Sequence, residues 1–145
     1  MAGYSGTPLP QKLGIKGNSR VTVLGAPDDF GATLGLLPPG ATVTDRFVGA
    51  QRADIILLFV RNQSDVVRRF SHAARHLEPA GGLWVVWPKK TSRLASDVTE
   101  DTIRAVAVAA GLVDNKVCAV DEIWSGLRCV IRLKDRPPPS QTKRG

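Results

Sequence analysis

Seven side chains of this 145-residue chain fall where an open α/β sheet would present them to a ligand: Asp28, Asp45, Arg61, Trp87, Lys89, Lys90 and Trp124. Ligands of such sheets bind outside the carboxyl ends of the strands, and each of these residues lies near the end of an apolar run or in the turn between two. The aspartates could accept hydrogen bonds from ligand hydroxyls. Arg61 and the lysine pair could meet an anion, and two tryptophans could line a pocket or anchor a protein partner. Catalytic chemistry is harder to build. Asp28 and Asp29 could serve as acid and base, or hold a hard metal with Asp45, but adjacent side chains seldom aim at one point and helix capping explains an aspartate here. His72 and His76, four residues apart, could bind zinc as a pair, yet no third ligand accompanies them and a solvated helix face accounts for both. No catalytic residue and no metal ligand is assigned.

The turn after the first expected strand decides whether a cofactor is expected. A nucleotide or methyl donor needs close backbone approach there, normally through repeated glycines, and an acid at the end of the second strand for ribose hydroxyls. Asp45 is placed for the second task. The first is poorly served by Gly25-Ala26-Pro27-Asp28-Asp29-Phe30: Pro27 removes an amide donor, and the two carboxylates would repel a phosphate. No cofactor is therefore expected, with a nucleoside-containing donor such as S-adenosylmethionine kept as the alternative.

The elements that must position these residues follow from pattern. Thr7-Pro8 opens a short helix that stops by Gly14. Residues 20–24 read as a buried strand, Asp28 or Asp29 caps a short helix through Leu36, and residues 41–47 form a weaker strand. Residues 53–60, ADIILLFV, form an unbroken branched apolar run, the mark of a central strand covered on both faces. Ser64 is expected to cap the next helix, with Val66, Phe70, Ala73 and Leu77 on one face and Arg68, Arg69, His72, Arg75 and His76 on the other. EPAGG ends it, and LWVVW makes another strand, closed by Pro88. Thr99 caps a last helix carrying Ile103, Val106, Ala107 and Ala110 as its apolar stripe and Gly111 as its stop. Two strands, near residues 116–121 and 127–133, close a hairpin whose turn is expected to bring Trp124 to the side of Trp87 and the lysines as a partly exposed contact residue. Residues 47–52 are too few for a crossover helix. Either the second strand runs antiparallel at an edge, or a tight extended loop returns across the sheet, and a helix and a strand of the full doubly wound fold are missing.

Composition bounds the rest. Residues 1–133 suffice for one α/β domain, and residues 134–145, RPPPSQTKRG preceded by Lys134 and Asp135, are expected to be a disordered basic tail. The formal charge of +7 divides into about +3 in that tail and +4 in the body. Scattered basic residues without a recognition motif support weak nucleic-acid binding at most. No apolar stretch approaches a membrane span, so no membrane partner is expected and a cytoplasmic location is. Cys118 and Cys129 lie in apolar strand runs and are expected to be reduced thiols.

Strand, helix, an L-x-P-x-G-G segment before a strand, a helix ending in AGL and a closing hairpin resemble the C-terminal half of class I methyltransferases. YSGTPLPQKLGIK, GAPDDF, GGLWVVWPKK and GLVDNKVCAVDEIWSGLRCVIR resemble a small bacterial family, domain of unknown function 3052, over nearly the whole chain before the tail. The resemblances imply a trimmed, methyltransferase-like Rossmann fold with a mostly parallel sheet and a C-terminal antiparallel hairpin, and they imply no activity. The reading is a non-catalytic binding domain that uses its strand-end edge for a protein partner or small ligand.

Overall fold

An apolar run without alternation has to be buried on both sides, and β3 (Ala53–Phe59) is the strand around which the chain is organised. Ile55, Leu57 and Phe59 enter one core and Ile56, Leu58 and Val60 the other, each at most 3% exposed. The computed structural model describes residues 7–136. They form a six-stranded sheet with helices on both faces. The elements are α1 (Leu9–Leu13), β1 (Arg20–Leu24), α2 (Phe30–Leu34), β2 (Thr42–Thr44), β3, α3 (Gln63–Arg75), β4 (Leu77–Pro88), α4 (Glu100–Ala109), β5 (Leu112–Ala119) and β6 (Trp124–Ile131), followed by a 3₁₀ turn at Leu133–Asp135. Strand order is β2-β1-β3-β4-β6-β5; β2, β1, β3 and β4 are parallel, and β6 pairs antiparallel with both β4 and β5.

Period-two alternation sorts the side chains between two layers. Leu83, Val85 and Trp87 of β4 face α3 and α4, meeting Val66, Phe70 and Ala73 from one helix and Ile103 and Ala107 from the other. Trp84 and Val86 face α1 and α2, meeting Leu9, Leu13, Phe30 and Leu34. Trp84 is fully buried and its indole N–H donates to the Leu13 carbonyl at 3.0 Å, which satisfies the one polar atom that its burial would otherwise strand.

The second strand settles an open point: β2 runs parallel to β1 at the sheet edge, with Thr42, Val43 and Thr44 opposite Arg20, Val21 and Thr22. The chain then returns past β1 to β3 through residues 45–52 as a loop without a helix, which bends at Asp45 and Arg46 and turns at Gly49, where the Gln51 amide donates to the Val48 carbonyl at 3.1 Å. Phe47 is its anchor, stacked on the His76 ring at 4.0 Å and edge-on to His72 at 5.7 Å.

Several local expectations are corrected. Asn62, not Ser64, caps α3: its side chain accepts from the Asp65 amide at 2.9 Å, so the helix begins at Gln63. Asp29 occupies the α2 cap position, but its side chain makes no capping hydrogen bond, and α2 stops at Leu34 rather than Leu36. α3 ends at Arg75, and EPAGG belongs to β4 as a bulge: β3 advances from Ala53 to Ile55 while β4 advances from Leu77 to Gly82. The closing hairpin is longer than expected and its turn shorter, with Trp124 already in β6. Thr99 caps α4 as read, accepting from the Thr102 amide. Lys134 to Arg136 include the 3₁₀ turn, so part of the expected tail is structured; its remainder lies outside the described residues. Among the described residues no helix is long and apolar enough to cross a membrane.

The β4 bulge depends on glycine. A Cβ on Gly81 would run into the backbone carbonyl of Asp54 on β3, which has no freedom to yield. Replacing Gly81 by Ala is therefore expected to destabilise the fold by about 1–3 kcal/mol, the usual cost of overpacking. A urea titration that leaves the midpoint unchanged would show that the two strands are not in close contact here.

Candidate functional site

At the carboxyl end of β1 the chain turns through Gly25, whose φ of +74° favours glycine. Residues 25–31 then run into α2, and residues 43–48 rise beside them from β2. Between the two lies an open cleft of about 690 Å³, with Val23, Phe30, Leu34 and Val43 as apolar wall and Asp45 and Arg46 at the rim. Gly31 faces empty space, with no atom within 4 Å of where a Cβ would sit. Asp45 is exposed and forms a 3.3 Å ion pair with Arg46, a contact that water screens heavily. Of the residues singled out from sequence, Asp45 thus lines the cleft. Asp28 sits exposed on the same turn without lining it.

The remaining residues do not converge on one pocket. Trp87 and Trp124 are 8% and 3% exposed, and they lie in opposite cores. The pairing explains why: Pro88 is the partner of Trp124 and Ser125 that of Trp87, so alternation sends the two indoles to opposite faces. The expectation of a shared, partly exposed tryptophan surface is corrected accordingly. Trp124 packs edge-on against Phe59 at 5.1 Å, and the Arg61 guanidinium covers its outer face at 5.4 Å from the ring centroid. Lys89 is half-buried, with its amide donating to the Ile123 carbonyl at 2.7 Å, and Lys90 is exposed beyond it. The Asp121 carboxylate closes the β5–β6 turn by accepting from the amides of Ile123 and Trp124, each at 2.8 Å.

The turn after β3 is likewise committed to structure. Asp65 accepts from the Arg61 amide at 2.9 Å and from the Arg68 guanidinium at 2.8 Å, and Asp97 accepts from the Gln63 amide at 2.8 Å. The Arg61 amide bond, outweighing partial burial and joined by Arg68, holds the Asp65 carboxyl below its ordinary value. Both cysteines are free thiols; burial pushes the Cys129 thiol up to about 12 and raises that of Cys118 as well, so neither is poised as a nucleophile. Among the described residues no group of three or more His, Cys, Asp or Glu side chains gathers as a metal site.

Sequence reasoning leaves one feature unread. Arg68, Arg69 and His72 of α3, which the helical pattern assigns to a solvated face, meet Arg46 and Phe47 of the crossover around a second cleft of about 400 Å³ floored by Leu24. The signal is present in the short 47–52 link, because a loop that replaces a helix has to lie directly against its neighbour.

Comparison with known proteins bears on the fold. Residues 39–133 match the family model described as "Protein of unknown function (DUF3052)". No curated protein matches in sequence. A SAM dependent methyltransferase from Aquifex aeolicus superposes with a TM-score of 0.58 at 13% identity, covering 84% of this chain and 87% of that one. Fibrillarin from Aeropyrum pernix, crystallised with natively bound S-adenosyl-L-methionine, gives 0.56 at 14% identity, with 88% and 70% covered. TrmN from Thermus thermophilus gives 0.54 at 11% identity over 86% of this chain and 47% of its own. The shared feature is a methyltransferase Rossmann-like fold.

Two substitutions test the structural assignments at this edge. Trp124→Ala is expected to cost about 3–5 kcal/mol in chemical denaturation, as for a large buried aromatic; a loss below about 1 kcal/mol would return the indole to the surface. Asp65→Asn is expected to cost about 1–2 kcal/mol at neutral pH, since it removes an ionised acceptor. Because the folded carboxyl titrates below its ordinary 3.8, that stability is present above 3.8 and fades as pH falls through the lowered folded value, so the variant and parent curves should converge in acid.

Proposed function

We propose that this chain, which belongs to the DUF3052 family of proteins of unknown function, is a non-catalytic binding domain whose ligand site is the cleft between the β1–α2 turn and the end of β2. The observation that carries the reading is the cleft itself, open at the carboxyl edge where α/β sheets receive ligands and walled by apolar side chains with one carboxylate at the rim. Such a lining suits a small ligand with an apolar ring and hydroxyl groups that Asp45 can accept from. A protein partner anchored on the tryptophans is less well supported, because both indoles are buried.

The case against catalysis rests on what the neighbouring polar groups already do. Asn62, Asp65 and Asp97 support the start of α3, and Asp121 closes a hairpin turn. Each accepts from a backbone amide, and Asp65 also from the Arg68 guanidinium. A second reading, a divergent enzyme using a nucleoside-containing donor such as S-adenosylmethionine, draws support from the position of Asp45 and from the methyltransferase-like fold. Against it stand Pro27, which offers no amide, and the exposed Asp28 and Asp29, which disfavour an anionic ligand end at this turn.

Calorimetry with S-adenosylmethionine and S-adenosylhomocysteine separates the two readings. Dissociation constants weaker than about ten micromolar, equivalent to about 7 kcal/mol, are expected. Tighter binding would show that the turn holds a nucleoside and revive the enzyme reading, and methyl transfer to an acceptor would establish it. The cleft is tested by adenosine in a ¹⁵N NMR titration: shifts are expected at residues 25–31 and 44–48, and Gly31→Leu, which fills open space without touching the core, should abolish them. Shifts elsewhere, or binding indifferent to that substitution, would remove the cleft as the site.

A further inference from the structure

The strand order reverses between β1 and β3, because the chain leaves β1 for β2 on one side and leaves β3 for β4 on the other. The crevice at the carboxyl end of such a reversal is where α/β sheets take ligands. Here it holds the 400 Å³ cleft lined by Leu24, Arg46, Phe47, Arg68, Arg69 and His72. Arg46 also lines the larger cleft, so the two meet at that side chain, one on the face of Val23 and the other on the face of Leu24. We infer that the arginine cleft binds the phosphate of a small phosphate monoester whose uncharged remainder lies toward the larger cleft. This rests on the reading of the larger cleft as a ligand site and adds the ligand's charge.

The charge balance points to an anion. Arg46 is paired only with Asp45, and both side chains are about four-fifths exposed, a contact worth little in water. Arg68 is paired with Asp65. Arg69 makes no ion pair or side-chain hydrogen bond among the described residues; the carboxylate of Asp65, a turn earlier, feels its charge at longer range. The cleft's lining holds three guanidinium groups and no carboxylate, and Asp28 and Asp29, which disfavour an anion on the α2 side of the β1 turn, line neither cleft.

The position of Arg69 is set by the backbone it covers. A Cβ on Gly25 would lie 3.3 Å from an Arg69 guanidinium nitrogen and 3.1 Å from the Phe59 carbonyl oxygen. Absence of a side chain at Gly25 thus lets the guanidinium rest over the β1 turn, at the mouth of the crevice. Leu24 and Phe47 give the cleft an apolar floor. A planar guanidinium fork matches phosphate oxygens in pairs. The three arginines line one concavity between a helix and a loop, which favours a compact anion over an extended strand of phosphates.

Titration of the full chain by ¹⁵N NMR with inorganic phosphate, adenosine monophosphate and adenosine tests the site, in the parent, Arg69→Gln and Gly31→Leu proteins. Phosphate and the monophosphate are expected to shift the amides of Gly25, Arg46, Phe47 and Arg69, and Arg69→Gln to weaken both at least tenfold while leaving adenosine binding unchanged. Arg68→Gln, at a largely exposed side chain that lines the arginine cleft and not the larger one, provides the same readout if Arg69→Gln fails to fold. Phosphate binding that ignores both substitutions, or a single-stranded oligonucleotide that binds where the monophosphate does not, would overturn the inference. Loss of adenosine in Gly31→Leu with phosphate indifferent to the arginines leaves the larger cleft standing and removes the anion site. Phosphate lost with the arginines while adenosine never binds does the opposite.

Discussion

Eight residues, 45–52, have to carry the chain from the end of β2 past β1 to the start of β3, and that length governs the architecture. By register, Thr44 lies level with Thr22, and Thr22 with Ile56, so the link drops about 10 Å along the strands and crosses two strand spacings of about 5 Å each. Extended, eight residues reach about 26 Å, enough to rise over β1 and descend; coiled as a helix they reach about 12 Å, which is not. A crossover without a helix follows, with slack enough for the turn at Gly49. β2 is left as the sheet edge, and the ground beside β1 that a crossover helix would have covered is held by Phe47 instead. Both clefts border this thin cover.

What the sheet lacks at one edge it compensates at the centre. β3 and β4 carry most of the two cores; Gly81 in the bulge permits their close approach, and the Trp84 hydrogen bond to Leu13 ties β4 to α1. The polar residues around the carboxyl ends of β3 and β5 are largely occupied in fixing turns and helix starts. Free polar chemistry is thereby displaced toward β1 and β2, where Asp45, Arg46 and Arg69 remain uncommitted or only loosely paired.

The elements are legible wherever a local cause suffices. The unbroken apolar run at residues 53–60, the Thr99 cap and the Gly111 stop each act within a few residues, and each lies where its chemistry requires. Asn62 and Ser64 compete on paper because both are capping residues, and only the bond from the Asp65 amide distinguishes them. The faces of Trp87 and Trp124 are illegible for a different reason: alternation fixes neighbours within a strand, while the relation between two strands depends on a register that no short window contains. The same holds for the arginine cleft, whose parts come from a helix and a loop more than twenty residues apart. Of the residues expected at a site, Asp45 is legible because the end of a second strand is a place that topology alone defines.

The thin cover over β1 also has a consequence for populations. β2 is exposed at all three of its residues, and within 45–52 Phe47 alone is even half-buried. Regions with so few buried contacts open locally at a small fraction of the global unfolding free energy. A ligand at this rim meets an equilibrium between ordered and open forms, and its apparent dissociation constant is the intrinsic one divided by the ordered fraction, so a rim ordered a tenth of the time weakens binding about tenfold. The stacking of Phe47 on His76 thus acts on affinity beyond any contact Phe47 makes with a ligand, by setting how often the site exists.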